Sequence, residues 1–255
     1  MDVRDGFSRL DLKEIKYKTN VKIVTIDDPE DKRLESDIAF YPPTPQLKNI
    51  KWEGFNGKLY IGWEYVILRS EFIKKNNKTI DSFPSILVSM GATDENNMTK
   101  YILNMLNDIK EKFNVRILLG NGYNYNKELV NFLDNVNYEY IIFSNPKNIS
   151  KVMSDSDFAI ISFGQTAYEL ASLHVPALYL CISKDHYESS MLFHKENIGF
   201  SLGIFQKLNK NYLIKNVRKF LNNKEKVLIM SDNAKKISIS NLNLISSLIK
   251  ETDNV

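Results

Sequence analysis

From Ser85 onward the chain alternates short apolar, β-branched runs with longer stretches whose apolar side chains recur every three or four positions. The short runs read as strands and the longer ones as helices, and their alternation marks an α/β domain on a parallel sheet. Ser85 to Ser89 reads as a strand, Met98 to Phe113 as a helix presenting Ile102, Met105, Leu106 and Ile109 on one face, and Val115 to Leu119 as the next strand. Helix Asn126 to Leu133, strand Tyr138 to Phe143, short helix Asn148 to Met153 and strand Asp157 to Ser162 follow. Helix Thr166 to Leu173, strand Val175 to Ile182, helix His186 to Asn197 and a largely helical tail from Asn211 to Ile249 complete the pattern. Ahead of it, Val21 to Ile26 and Asp37 to Tyr41 read as strands, the first ending in the paired carboxylates Asp27 and Asp28. Pro42-Pro43-Thr44-Pro45 can continue neither a helix nor a central strand and marks a loop. The polar stretch Lys74 to Ser82 then predicts a boundary, with residues 1–78 a front region of too few strands for a sheet of usual size and 79–255 a C-terminal Rossmann-like domain with a helical tail.

Composition narrows the function without naming it. At 255 residues, 43% hydrophobic and 25% charged, the chain is a globular protein large enough for one big domain or two small ones. A net charge of +3, with both signs mixed along the chain, is too mild to predict nucleic-acid binding. No apolar run approaches the ~20 residues that cross a bilayer, and residues 1–20 are charged throughout, so neither a signal peptide nor membrane insertion is expected. The single cysteine, Cys181, excludes an internal disulfide; in its apolar run it reads as a buried hydrophobe of a reducing, cytoplasmic compartment. His174 and His194 lack convincing partner ligands, so no metal site and no cofactor are expected.

The most informative segment is Ser162-Phe-Gly-Gln-Thr-Ala-Tyr-Glu169, a strand-to-helix turn. Such a turn presents free backbone N–H groups at the positive end of a helix dipole, and Gly164 lets an anion approach with no Cβ in the way. Glu169 follows Gln165 and Thr166 by four and three residues, which places all three on one side of the helix, where a carboxylate could accept hydrogen bonds from a ribose diol. The plainer alternative is a capping box, with Thr166 at the N-cap and Glu169 three residues on. A second polar turn, Ser89 to Thr99, offers Gly91 for a tight exit and Thr93, Asp94, Asn96 and Asn97 around a helix start. Each turn alone could be ordinary capping; two at the carboxyl ends of strands in one sheet predict a binding crevice. Asp185-His186 lies beyond the next strand, where the histidine could serve as acid, base or donor, or simply cap a helix. There is no Gly-x-Ser-x-Gly, no Walker loop and no Gly-x-Gly-x-x-Gly.

Taken in order, Gly62-Trp-Glu-Tyr-Val-Ile-Leu-Arg-Ser-Glu-Phe72, Ser89-Met-Gly-Ala-Thr-Asp94 with Asn97 and Thr99, Leu119-Gly-Asn121, and Ser162 to Glu169 followed by Pro176 resemble the PseG-type UDP-sugar hydrolases and the related spore-coat polysaccharide proteins. The family acts in pseudaminic-acid biosynthesis, removing UDP from UDP-2,4-diacetamido-2,4,6-trideoxy-β-L-altropyranose. The resemblance implies a glycosyltransferase-B architecture, with residues 1–78 the back half of an N-terminal Rossmann-like domain and 79–255 the UDP-binding one. It assigns Gly164, Gln165 and Thr166 to the diphosphate, Glu169 to the ribose and the loop Ser144 to Asn148 to the uracil, with Ser162 also among the UDP-binding residues. Gly91, Thr93, Asp94, Asn97, Asp185 and His186 would meet the sugar or phosphates, although the family often has Asn-Gln where this chain has Asp185-His186. The family's Gly-His loop, source of the histidine thought to activate water, has no counterpart before Val21, and Asp2-Val3-Arg4-Asp5 stands where an Asp-x-Tyr is usual. The catalytic residues are therefore unassigned, and this chain alone is expected to show little or no hydrolysis. Metal-independent attack of water on the sugar-phosphate bond is the implied reaction. The alternatives are a non-catalytic nucleotide-sugar-binding module completed by a partner chain or a second copy, and a glycosyltransferase.

Overall fold

The computed structural model describes residues 6–73, 83–94, 96–123 and 127–251. The chain forms two compact units, one from the residues up to Ile67 together with those from Ser238 onward, the other from Leu68–Ile237. The stretch Lys74 to Ser82, predicted as the boundary, and Asp2 to Asp5 lie outside the described residues; the observed division falls earlier, between Ile67 and Leu68.

In the first unit, helix α1 (Arg9–Thr19) opens on a capping box, the Ser8 hydroxyl accepting from the Asp11 N–H and the Asp11 carboxylate from the Ser8 N–H at 2.7 Å. Strands β1 (Val24–Ile26), β2 (Ile38–Tyr41) and β3 (Lys58–Ile61) form a parallel sheet in that order. Alternation along β2 sends Ile38 and Phe40 to one face and Ala39 and Tyr41 to the other. Ala39 and Tyr41 pack with Leu47, Ile50, Trp52 and Phe55. Ile38 and Phe40 meet Ile245 of the last helix, Leu242–Glu251, with Val24, Tyr60, Tyr65, Leu248 and Ile249 around them. That contact corrects the expected domain plan: the end of the helical tail belongs to the first unit, because its apolar stripe covers β2.

The second unit opens with the short helix α2 (Ser70–Ile73). It continues through β4 (Ser85–Ser89), α3 (Met98–Leu106), β5 (Asn114–Leu119), α4 (Lys127–Leu133), β6 (Glu139–Ser144), α5 (Ile149–Ser154) and β7 (Phe158–Ser162). Then come α6 (Gln165–Ser172), β8 (Ala177–Cys181), α7 (Lys184–Lys195), β9 (Gly199–Ile204), α8 (Lys210–Leu221) and α9 (Lys224–Lys236); Leu242–Glu251 is α10. Its six strands are all parallel, in the order β6-β5-β4-β7-β8-β9. Helices on both faces explain why every residue of β4 and β8 is buried, while edge strand β6 exposes Ile141. The strand order reverses between β4 and β7, the point at which the connecting loops diverge and leave a crevice beyond the strands' carboxyl ends.

Two differences from the predicted elements have physical causes. Helix α3 ends at Leu106, not Phe113: Asn107 is its C-cap, still donating its N–H to the Leu103 carbonyl, while its Oδ1 accepts from the Asn137 N–H at 2.7 Å in the turn before β6. Ile109 and Phe113, which looked like further helical positions, are buried core residues of the connecting loop. Strand β9 is not among the predicted elements. Gly199 is required there because a Cβ would collide with the Tyr179 ring of β8, and Gly203 takes a positive φ of 111°.

Candidate functional site

The crevice at the strand-order reversal is bordered by the two turns singled out in the sequence. Ser89 and Ile161 are register partners on β4 and β7, so the turns leave adjacent strand ends. On the β4 side Gly91 has φ 87°, a conformation that favours glycine, and a Cβ there would meet nothing within 4 Å. The turn is held from outside by the β5 exit. Gly120 packs so tightly on Ala92 and the Gly91 carbonyl that a Cβ would overlap them, and the Gly122 N–H donates to the Ala92 carbonyl at 3.1 Å. Thr93, Asn96 and Asn97 are exposed. Asp94 turns inward, its two carboxylate oxygens accepting from the N–H groups of Met98 at 2.9 Å and Thr99 at 2.8 Å. That geometry makes Asp94 the cap of α3, with both oxygens committed.

On the β7 side the Phe163 N–H donates to the Leu180 carbonyl at 2.8 Å, carrying the sheet pattern past Ser162. Gly164 then serves as the N-cap of α6. The capping-box alternative is not formed, because the helix begins at Gln165 and Thr166 lies inside its first turn. Gly164 has no side chain with which to cap the helix, and a Cβ placed there would point into open space. Gln165 is exposed, Ser162 and Thr166 half-buried.

Glu169 lies one turn farther on and is 9% exposed. Burial among apolar neighbours raises its pKa above the ordinary 4.5, an effect opposed by the Arg69 guanidinium, Nη2 to Oε1 3.5 Å, and reinforced by the charge of Glu71. Arg69 also pairs with Glu71 at 3.0 Å, and Glu71 Oε2 accepts from the Ser150 N–H at 3.2 Å. Asn148 is the N-cap of α5, its Oδ1 accepting from the Lys151 N–H and the Ser150 hydroxyl, each at 2.9 Å. Through Ser150, Glu71 and Arg69 the Asn148 turn is linked to Glu169.

Beyond β8, Ser183 caps α7 by accepting from the His186 N–H at 3.1 Å. The His186 ring lies edge-on to Phe163, centroids 6.0 Å apart, beside the turn that precedes Gly164. Burial holds its pKa below 6.5, with Asp185 pulling the other way, and among the described residues its buried Nδ1 has no hydrogen-bond partner. Burial therefore favours the neutral imidazole. Asp185 is exposed in the first turn of α7.

The structure thus gathers Ser162, Gly164, Gln165, Thr166, Glu169 and His186 around one turn, with Gly91 and Thr93 across the crevice, while Asp94 is spent on capping. Arg69 and Glu71 stood in a quoted motif without a role. A buried acid in the apolar stretch Ala167 to Ala171 demands a cation, but nothing in the spacing points to a residue 100 positions earlier.

Residues 85–245 match the glycosyltransferase family 28 C-terminal domain. The chain is 33% identical over 148 residues to the uncharacterized protein MJ1062 of Methanocaldococcus jannaschii, covering 53% of this chain and 30% of that protein. It is 24% identical to the spore coat polysaccharide biosynthesis protein SpsG of Bacillus subtilis, over 76% of this chain and 58% of the relative. With the UDP-2,4-diacetamido-2,4,6-trideoxy-beta-L-altropyranose hydrolase of Campylobacter jejuni it shares 26% identity, over 71% and 65%. The chain therefore spans between 30% and 65% of the length of these relatives. Among solved structures, MurG of Acinetobacter baumannii superposes with a TM-score of 0.70 at 13% identity, over 97% of this chain and 72% of that one. The spinosyn rhamnosyltransferase SpnG complexed with thymidine diphosphate gives 0.53 at 13% identity, over 84% and 56%. The fold is the glycosyltransferase-B type, and the chain belongs to the glycosyltransferase family 28 C-terminal domain family.

Proposed function

We propose that this chain binds a UDP-sugar at the carboxyl edge of the second unit's sheet and serves the UDP-sugar hydrolysis of surface-glycan biosynthesis, of the nonulosonic or pseudaminic acid type, in the cytoplasm. The observation that carries the reading is the opening of α6: a helix N-terminus that begins on a glycine, at the point where the strand order reverses, with a buried carboxylate one turn inside. Backbone N–H groups and the helix dipole favour the diphosphate, and the departing UDP carries its negative charge onto those groups. Glu169 accepts from the ribose, Asn148 lies toward the base, and His186 and the Gly91–Thr93 turn face the sugar-phosphate linkage. The two relatives named for polysaccharide biosynthesis and for a UDP-sugar hydrolase support the same class. A competition series tests it: UDP should bind at least about tenfold tighter than UMP or uridine. Equal affinities would remove the diphosphate from the site.

A second reading has its own observation. The first unit's sheet has three strands, and Ile26 on β1 with Leu59 and Ile61 on β3 are exposed. In this reading the chain is a nucleotide-sugar-binding module whose catalytic groups come from a partner chain or a second copy. UDP release from the purified chain supplied with the UDP-sugar would decide for the hydrolase; binding without release, together with a concentration-dependent dimer, would decide for the module.

A further inference from the structure

Arg69 precedes α2 with its guanidinium shared between two carboxylates, Nη1 3.0 Å from Glu71 Oε1 and Nη2 3.5 Å from Glu169 Oε1. Its Cζ lies 4.9 Å from the centroid of the Phe72 ring. Around it, α2 is tied to both neighbouring helices: Glu71 accepts from the Ser150 N–H on α5, and the Ser172 hydroxyl on α6 donates to the Phe72 carbonyl at 2.9 Å. The guanidinium is thus held by Glu71 and Phe72 independently of Glu169, which it reaches on Oε1 alone. Among the described residues no hydrogen bond engages Glu169 Oε2. The Glu169 side chain is 12% exposed and that of Arg69 57%, so the carboxylate is fixed from the solvent side by a cation that is itself braced.

We propose that Arg69 is a positioning residue of this site: it turns Glu169 so that the second carboxylate oxygen takes the 2′-hydroxyl of the nucleotide, and the pair thereby selects ribonucleoside over deoxyribonucleoside diphosphates. The proposal rests on the nucleotide-sugar reading of the α6 turn and adds what sets the choice of sugar ring. A hydroxyl donated to a charged, desolvated acceptor contributes more than one donated to a neutral acceptor, and the acceptor left unpaired by a deoxy ligand is penalised. Among the described residues two charged groups act on Glu169, Arg69 and Glu71, both from the segment carrying α2; none from α5, α9 or β8, which also pack on α6, shifts it.

Calorimetric titration of the full chain with UDP and with 2′-deoxy-UDP tests this. The wild type should prefer UDP by about tenfold. Arg69→Met should bring the preference to within about twofold while 2′-deoxy-UDP affinity stays within about twofold of wild type, because the loss falls on the ribose contact alone. Equal weakening of both nucleotides would overturn the proposal, making Arg69 a diphosphate contact or a structural prop, and so would an unchanged preference. Should Arg69→Met fail to fold, Glu71→Gln loosens the guanidinium without removing it; its preference should fall about threefold, and no change overturns the proposal. A pH series separates positioning from bulk: UDP affinity falls as Glu169 takes up a proton, and in Arg69→Met that fall should begin at higher pH than in wild type. A wild type that binds neither nucleotide contradicts the nucleotide reading itself, whereas a wild type binding both equally contradicts only the selection.

Discussion

Asp94 and Glu169 are both buried acids near the start of a helix, and the hydrogen bonds around them give them different work. Asp94 has both oxygens on backbone N–H groups of α3, so Asp94→Ala should lower stability by about 1–3 kcal/mol, read as a shifted urea midpoint at constant slope. Glu169 receives one long contact from Arg69 and is pushed toward its neutral form by burial. A carboxyl whose folded pKa is raised adds stability below its unfolded pKa, and that stability is lost as pH rises through the folded pKa. Nucleotide affinity runs the other way, since a ribose hydroxyl needs an ionised acceptor. Between pH 4.5 and neutrality, then, the wild type should gain UDP affinity with rising pH, and Glu169→Gln should flatten that dependence while leaving neutral-pH stability within about 1 kcal/mol. Unfolding curves and titrations across one pH series check both trends, and parallel trends would contradict the assignment.

At the scale of elements, the sequence was legible wherever burial imposed a pattern. Strands β4, β7 and β8 stood out as apolar runs, and their helices as stripes at helical spacing, because parallel strands covered on both faces admit little else. Strand β9 was hidden, since Gly199 is chosen by the Tyr179 ring on the neighbouring strand and not by strand propensity. Gly199→Ala should therefore cost about 1–3 kcal/mol, measured by thermal unfolding, whereas a neutral effect would mean the ring yields. Strand β3, whose Lys58, Leu59 and Ile61 are exposed, offered no signal either. The terminal helix α10 was read correctly as a helix and wrongly as part of the second domain, because a stripe of apolar residues announces that a partner exists without naming it. Ile245→Ala should cost about 2–5 kcal/mol, and the loss should be reported by near-ultraviolet dichroism of Tyr60 and Tyr65, which share that cluster. The two turns of the site were legible through glycine after a strand, while the braces behind them, Gly120 under Ala92 and Arg69 beside Glu169, are long-range choices that no local pattern records.

For the whole molecule, the first unit carries a three-stranded sheet with the last helix packed on β2, and the second unit carries a six-stranded sheet and every group assigned to the nucleotide. A net charge of +3 suits such a site: the proposed anion contacts are backbone amides and a helix dipole at one turn. UDP affinity should consequently change by no more than about threefold between 50 and 300 mM salt, far less than for a ligand held by several exposed lysines. Among the described residues no helix is long and apolar enough to cross a membrane. The central claim, that the α6 turn and Glu169 form a nucleotide diphosphate site, is tested most directly by calorimetric titration of UDP into the wild type and Glu169→Ala. The account predicts saturable one-to-one binding to the wild type, weakened about tenfold or more by the substitution. No binding to the wild type, or equal affinity in the two proteins, would contradict it.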